Sequence, residues 1–233
     1  MEKISNNQHS EETPLTTLGK TFELVDLGLS VKWATFNLGA TKPEEAGDYF
    51  MWGDKIPATG RDCFWSTYKY ANGTENRLFK YVPESLFHKF NLESEESYYG
   101  DDGFFDNKTV LEPDDDAAYF ALGGKFRMPT PAEWRELHDN CTWLWAQFNG
   151  VNGYLVISNK DGFTDKSIFL PAAGLRSGSY LRDQNTHGAY WSASLVNTFP
   201  THASCCYFYD TYRNWGYSLL SRYLGLSVRP VSD

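Results

Sequence analysis

Four cysteines and two loop histidines are the residues of this chain whose types could carry nucleophilic or redox chemistry. They are Cys63, Cys141, Cys205 and Cys206, with His187 and His202. A thiolate beside an imidazole is a nucleophile–base pair. The cysteine spacing matches no zinc or disulfide-oxidoreductase pattern. Cys205 and Cys206 are adjacent, so on a strand their side chains point to opposite faces. A disulfide framework is not expected in a chain of 233 residues with so few cysteines. No catalytic residue, metal ligand or cofactor site is assigned from these residues.

A second chemistry belongs to the acids. Between residues 91 and 116 ten Asp and Glu side chains face a single Lys108, a local charge of −9 that equals the net charge of the whole chain. Clustered carboxylates suit a hard cation such as calcium. Asp101, Asp102 and Asp106 do not supply the EF-hand ligand series, and a solvated acidic loop is the simpler reading. Asp114–Asp116 instead stand where they could serve the first turn of a short helix beginning near Ala117.

A third chemistry is contact chemistry. The chain holds 8 Trp, 15 Tyr and 16 Phe, an aromatic share of 17% that exceeds what an ordinary core needs. Residues 185–233 contain no Lys, Glu, Gln or Met yet carry ten aromatic side chains. Tyr and Trp give broad amphipathic contact area with few rotors to freeze.

These residues must be placed by short elements. Phe22–Asn37 reads as two short strands around a turn at Gly28, and Asp48–Trp52 as a further apolar stretch. Residues 60–116 read as a long irregular region. Thr130, Pro131 and Glu133 spell a capped helix start, predicting a helix over about 131–140 with Trp134 and Leu137 on one face and Cys141 following. Val151–Ser158 and Ser167–Leu170 read as a hairpin, and Gly174–Gly188 as a loop. Tyr190–Leu195, Ala203–Tyr209 and Leu226–Val231 read as strands. Within the second of these, Phe208 points inward and Tyr207 and Tyr209 share the opposite face. The sum is a single α+β domain over 21–233, after an arm at 1–20 expected to be disordered. Met1–Lys20 shows no apolar leader, and no run long and apolar enough to span a membrane occurs. The net charge of −9 argues against nucleic acid as a partner.

Seven segments occur in a fixed order: LVDLGLSVKWATFNLGA (24–40), GDYFMWGD (47–54), GGKFRMPTPAEW (123–134), NGYLVISNKDG (152–162), SIFLPAAG (167–174), YWSAS (190–194) and RYLGLSVRPV (222–231). Together the set resembles the Fibrobacter succinogenes major paralogous domain family, over nearly the whole chain. The resemblance implies a C-type-lectin-like fold of the formylglycine-generating-enzyme subtype, with short antiparallel strands, few helices and long loops. The landmark residues Gly124, Arg127, Pro129, Pro171, Gly174, Arg229 and Pro230, and the tryptophans Trp33, Trp52, Trp134, Trp191 and Trp215, are then scaffold.

Some proteins of this fold are targets of diversity-generating retroelements, in which adenines of Asn codons in a C-terminal cassette are replaced. Here YWSAS and RYLGLSVRPV bracket such a stretch, although only Asn197 and Asn214 remain in it. Changing the two adenines of AAC or AAT cannot yield Lys, Glu, Gln, Met or Trp. The chain has 40 of these residues, so residues 195–225 should hold roughly five in proportion, and Trp215 alone is present. The resemblance therefore implies a binding protein for an unknown protein or surface ligand, displayed on a bacterial surface or phage particle, with no catalysis. Its expected binding face is Tyr180, Arg182, Thr186, His187, Phe199, Thr201, His202, Tyr207, Tyr209, Tyr212, Tyr217, Leu219 and Leu220. The alternatives are a non-diversified structural or adhesive module, and a cysteine-dependent oxidase of the kind this fold subtype includes, with Cys205 and Cys206 as its pair.

Overall fold

The computed structural model describes residues 15–17, 20–84, 103–196 and 199–233, without the side chains of 15–17, 20–22, 213–217 and 219. Its strands are mostly antiparallel and gathered in small sheets, with few helices. The first pair joins β1 (Leu15–Thr17) to β2 (Lys20–Phe22), so this part of the arm assigned to residues 1–20 is strand. The rest of that arm lies outside the described residues.

Strands near residues 24–34 meet the last strand in one sheet. β3 (Leu24–Val25) and β4 (Lys32–Ala34) flank the turn at Gly28, whose φ of 70° suits glycine. β13 (Val231–Ser232) pairs with β4 on its other side, Val231 opposite Trp33. The strand expected over Leu226–Val231 is thus mostly a run of single bridges, Leu226 to Phe50 and Ser227 to Tyr190. Each residue there serves a different neighbour, so no continuous ladder forms.

Among the described residues, two α-helices are found between β4 and β13 in the chain. α1 (Ala117–Ala121) is capped by Asp116, whose carboxylate accepts from the Ala118 and Tyr119 amides at 2.8 and 3.2 Å. The same carboxylate accepts from Met128 N at 2.7 Å, tying the segment that follows the helix back to its start. α2 (Pro131–Asp139) has the expected capping box between Thr130 and Glu133, and buries Trp134 and Leu137. Arg127 grips Glu133 through two bonds, 2.9 and 2.7 Å, and reaches Asp233 at 2.8 Å. Cys141 does not continue the helical face. It opens β5 (Cys141–Phe148), which leads through Asn149–Gly150 into β6 (Val151–Ser158) and then β7 (Ser167–Pro171).

The predicted loop over Gly174–Gly188 contains a small hairpin, β8 (Leu175–Ser177) and β9 (Tyr180–Arg182), because Gly178 supplies a positive φ of 59° at its turn. The last sheet is β10 (His187–Leu195), β11 (His202–Tyr209) and β12 (Tyr212–Ser221), in that order. β12 was not expected from sequence. Its register slips opposite Cys205 and Cys206, a bulge that admits Gly216 and Tyr217 as extra residues.

β11 is the partition of the core. Ala203 and Cys205 pack into one apolar cluster with Trp52, Tyr81 and Trp191, while Cys206 and Phe208 pack into a second with Trp33, Trp134 and Tyr190. Trp33, Trp52, Trp134 and Trp191 are fully buried, as expected of scaffold, and the Trp215 side chain lies outside the described residues. Two arginines are buried with no carboxylate among their hydrogen-bond partners in the described residues. Arg222 bonds the Tyr68 hydroxyl and the carbonyls of Tyr81, Pro200 and Lys80, and Arg229 bonds Asn37 Oδ1 and the carbonyls of Ala34 and Phe169. Each sews distant loops together by saturating backbone acceptors that burial would otherwise leave unpaired.

Candidate functional site

The sheet β10–β11–β12 carries one ring-lined surface at its open end. Along one face of β11, burial fades in order: Ala203 and Cys205 are covered, while Tyr207 and Tyr209 are half-buried. Phe208, between the two tyrosines, is fully buried on the other face. Alternation along the strand thus holds as predicted. His187 stands opposite Tyr209 on β10, and Tyr212 stands opposite Tyr209 on β12. The His187 ring lies 5.0 Å from that of Tyr209 and 5.7 Å from that of Tyr207. Tyr209 and Tyr212 are stacked, 5.1 Å apart at 16°. Burial pushes the Tyr207 phenol above its ordinary value, and the nearby Asp183 carboxylate and neighbouring tyrosines push the same way.

The turn Asp183–His187 holds the edge of this surface in place. Asp183 and Asn185 both adopt left-handed backbone, with φ of 57° and 65°. The amides of Thr186 and His187 donate to the Asp183 carbonyl, at 3.1 and 2.8 Å. Asn185 N donates to Ala172 O at 2.7 Å, and its side-chain oxygen accepts from Asn152 N at 2.6 Å. Thr186 Oγ1 sits 2.9 Å from His187 Nδ1, which orients the ring. Two non-glycine residues at positive φ in one five-residue turn cost conformational energy that the surrounding bonds must offset.

The expected binding residues do not form one patch. His187, Tyr207, Tyr209 and Tyr212 converge, with the exposed Tyr180, Arg182 and Thr186 on the adjoining hairpin and turn. Phe199, His202 and Leu220 gather at the far end of β11, about 24 Å away at 3.4 Å per residue. There the His202 ring lies 5.7 Å from Phe199 and its nitrogens face Thr201 Oγ1 at 2.8 Å and Ser221 Oγ at 3.5 Å. Burial holds the His202 imidazole below its ordinary value against the pull of Glu75. Leu220 packs against the first core cluster. Thr201 is only 3% exposed and does not belong to a binding face: its carbonyl receives the amide of the buried Arg222, which draws that turn inward. The side chains of Tyr217 and Leu219 lie outside the described residues.

The thiols are placed for packing. All four are buried and unpaired as free cysteines. Burial raises the thiols of Cys63, Cys205 and Cys206 above their ordinary value, and Cys141 up to about 11. Cys205 and Cys206 point into different core clusters, as adjacent strand residues must.

The acids are less solvated than expected. Asp115 is 4% exposed, and its carboxylate receives Tyr70 Oη, Tyr81 Oη at 2.6 Å, Lys80 Nζ at 2.5 Å and Lys69 Nζ at 3.1 Å. Asp106 accepts from the amides of Tyr81 and Val82, each at 2.8 Å. Both therefore brace the irregular region rather than line it. Asp101 and Asp102 lie outside the described residues. Among the described residues no group of three or more His, Cys, Asp and Glu is placed to hold a metal ion.

Sequence reasoning missed the turn at Asp183, whose carbonyl accepts from the His187 amide at the edge of the ring surface, and a cavity of about 310 Å³ on the outer face of β5–β6–β7. That cavity is lined chiefly by Pro43, Ala146, Phe148, Leu155 and Phe169. The Asn149–Gly150 pair, a strong hairpin signal, would have revealed β5 and with it this face.

Among the described residues no helix is long and apolar enough to cross a membrane. Comparisons with protein-family models, with curated proteins and with solved structures each return no match.

Proposed function

We propose that this chain is a ligand-binding display domain, directed at a protein partner through the ring surface of β10–β12 and without catalytic activity. The observation that carries this reading is the cluster of His187, Tyr207, Tyr209 and Tyr212, held half in solvent on a sheet whose other face is core. Rigid aromatic side chains on a fixed frame lose little entropy on contact, the economy of a good paratope. The small antiparallel sheets, few helices and long irregular stretches support a C-type-lectin-like fold of the formylglycine-generating-enzyme subtype, as the ordered segments imply. Burial of every thiol, with Cys205 and Cys206 on opposite faces, favours binding over cysteine chemistry.

Diversification belongs to the same proposal. Sequencing around the gene should reveal a second copy of the 180–225 coding region that differs only where one copy has adenine. Differences scattered over all four bases would leave a static adhesive module. The binding surface itself is tested with labelled protein on a panel of whole bacterial cells. The double variant Tyr209→Ser, Tyr212→Ser should lose at least tenfold in retention while its melting remains cooperative. Retention equal to that of the parent protein would refute the site.

A further inference from the structure

The cavity on the outer face of the β5–β6–β7 sheet follows from the strand register. Ala146 on β5 stands opposite Gly153 on β6, the smallest pair of that face. Leu144 and Leu155 pair on one side of them, with Phe169 of β7 in the same row, and Phe148 pairs with Val151 on the other. The Phe169 ring leans across Gly153, where a Cβ would stand 2.8 Å from its Cζ, and meets the Phe148 ring at 5.6 Å and 46°. Large rows on either side of a small pair leave a hollow of about 310 Å³, floored by Ala146, with Thr35 and Pro43 at its margin.

The walls select by charge and by shape. None of the described residues lining the cavity is charged. Two of its polar side chains already have partners: Thr35 Oγ1 donates to the Glu23 carbonyl at 3.3 Å, and Gln147 Nε2 to Asn152 Oδ1 at 3.2 Å. Ser167 is the third polar residue of the lining. A confined water needs two to four polar partners, so an apolar occupant displaces water from here at little cost. An ammonium or carboxylate would shed its hydration with no opposite charge to receive it. An apolar cavity of about 150 Å³ already takes a benzene ring, and this one is larger. Its two tilted phenylalanine walls favour a ring over an alkyl chain through the face and edge contacts that aromatic groups make.

We propose that this cavity is a second binding site, which takes the neutral mono- or bicyclic aromatic ring of a small molecule. Its volume lies within the range of small-molecule pockets, about 300–1,000 Å³. Phe148 is 45% exposed, and a bound ring covers part of that apolar surface. The site shares no residue with the ring surface of β10–β12, so it stands or falls independently of the partner proposed for that surface.

The test is a titration of the full chain with indole, followed by the methyl resonances of Ala146 and Leu155 and the ring resonances of Phe148 and Phe169. These should shift saturably, and the rings of Tyr209 and Tyr212 should not. 1-Hexanol, flexible and of similar bulk, should bind roughly threefold more weakly. Ala146→Leu fills the hollow, so indole binding should be lost while unfolding stays cooperative and the melting temperature holds or rises. Phe148→Ala removes one wall at a partly exposed position and should weaken indole roughly fivefold. The double variant Tyr209→Ser, Tyr212→Ser should bind indole as the parent protein does. Absence of saturable shifts, or unchanged affinity in folded Ala146→Leu or in Phe148→Ala, would overturn the site. Hexanol equal to indole would overturn the ring assignment. N-acetyl-tryptophan amide binding more tightly than indole would overturn the small-molecule assignment in favour of an aromatic side chain of a protein.

Discussion

The ring of Phe208 lies directly on Gly188. A Cβ at residue 188 would stand 2.1 Å from Phe208 Cζ and 2.3 Å from Cε2. The two residues are opposite each other in the β10–β11 ladder, and the ring is sealed beneath by Tyr190, stacked at 5.9 Å, and by Tyr154 at 5.2 Å. This contact sets the spacing of the strands that carry the ring surface.

Gly188→Ala should therefore destabilise through overpacking, by about 1–3 kcal/mol. Urea unfolding measures it. Phe208→Leu added to Gly188→Ala removes ring atoms from the clash, so the pair should cost less than the sum of the two single variants. Strict additivity would show that the contact does not set the strand spacing.

Gly150→Ala makes the contrasting case. Its φ is 83°, yet no atom of the described residues lies within 4 Å of the added Cβ. The cost there is backbone conformation alone, about 1 kcal/mol. Urea unfolding should show that loss with no change in slope, because the Asn149–Gly150 turn remains formed. A loss as large as that of Gly188→Ala would contradict this division.

How much could be read from residues alone follows the range of each interaction. The capped start of α2 was legible because Thr130, Pro131 and Glu133 lie within one turn. The inward Phe208 and outward Tyr207 and Tyr209 were legible because strand alternation is local. β12 was not, since its residues pair only through β11 and carry a bulge that hides the period. Asp115 was illegible as a brace, because its partners Lys69, Tyr70, Lys80 and Tyr81 come from 34 to 46 residues away. Thr201 was misplaced for the same reason: the buried Arg222 that holds its carbonyl lies outside the local pattern. The division of the candidate face into two ends of β11 needed the strand pairing, which no run of residues states.

Asp115 gives the pH dependence. Burial alone would raise its carboxyl, but hydrogen bonds from Lys80, Tyr70, Tyr81 and Lys69 outweigh it and hold the group well below the usual range. A carboxyl depressed in the folded state binds its proton more readily when unfolded. Its contribution is therefore fully present above the unfolded pKa of about 4 and fades as pH falls below it. Asp115→Asn should cost about 2–4 kcal/mol at pH 7, where it leaves Lys80 and the phenols short of an anionic acceptor. Denaturant midpoints taken between pH 7 and pH 2.5 should draw together for the two proteins as pH falls, without meeting, because the folded carboxyl is still ionised at the acid end. Parallel curves across that range would mean that the carboxylate is not the centre of this network.

The thiols provide the last test, and it bears on chemistry as well as packing. A reactive cysteine is an exposed thiolate, and here burial disfavours ionisation at all four positions. Ellman's reagent at pH 7.5 should find no rapidly reacting thiol in the native protein and four in 8 M urea, the four free cysteines of the chain. The native reaction should then proceed only as fast as the strands open, and slow when osmolyte stabilises the fold. A fast native phase from Cys205 or Cys206, located by mass mapping, would place a thiolate at the surface of β11. It would also restore the cysteine-dependent oxidase to consideration, since that chemistry needs an accessible sulfur.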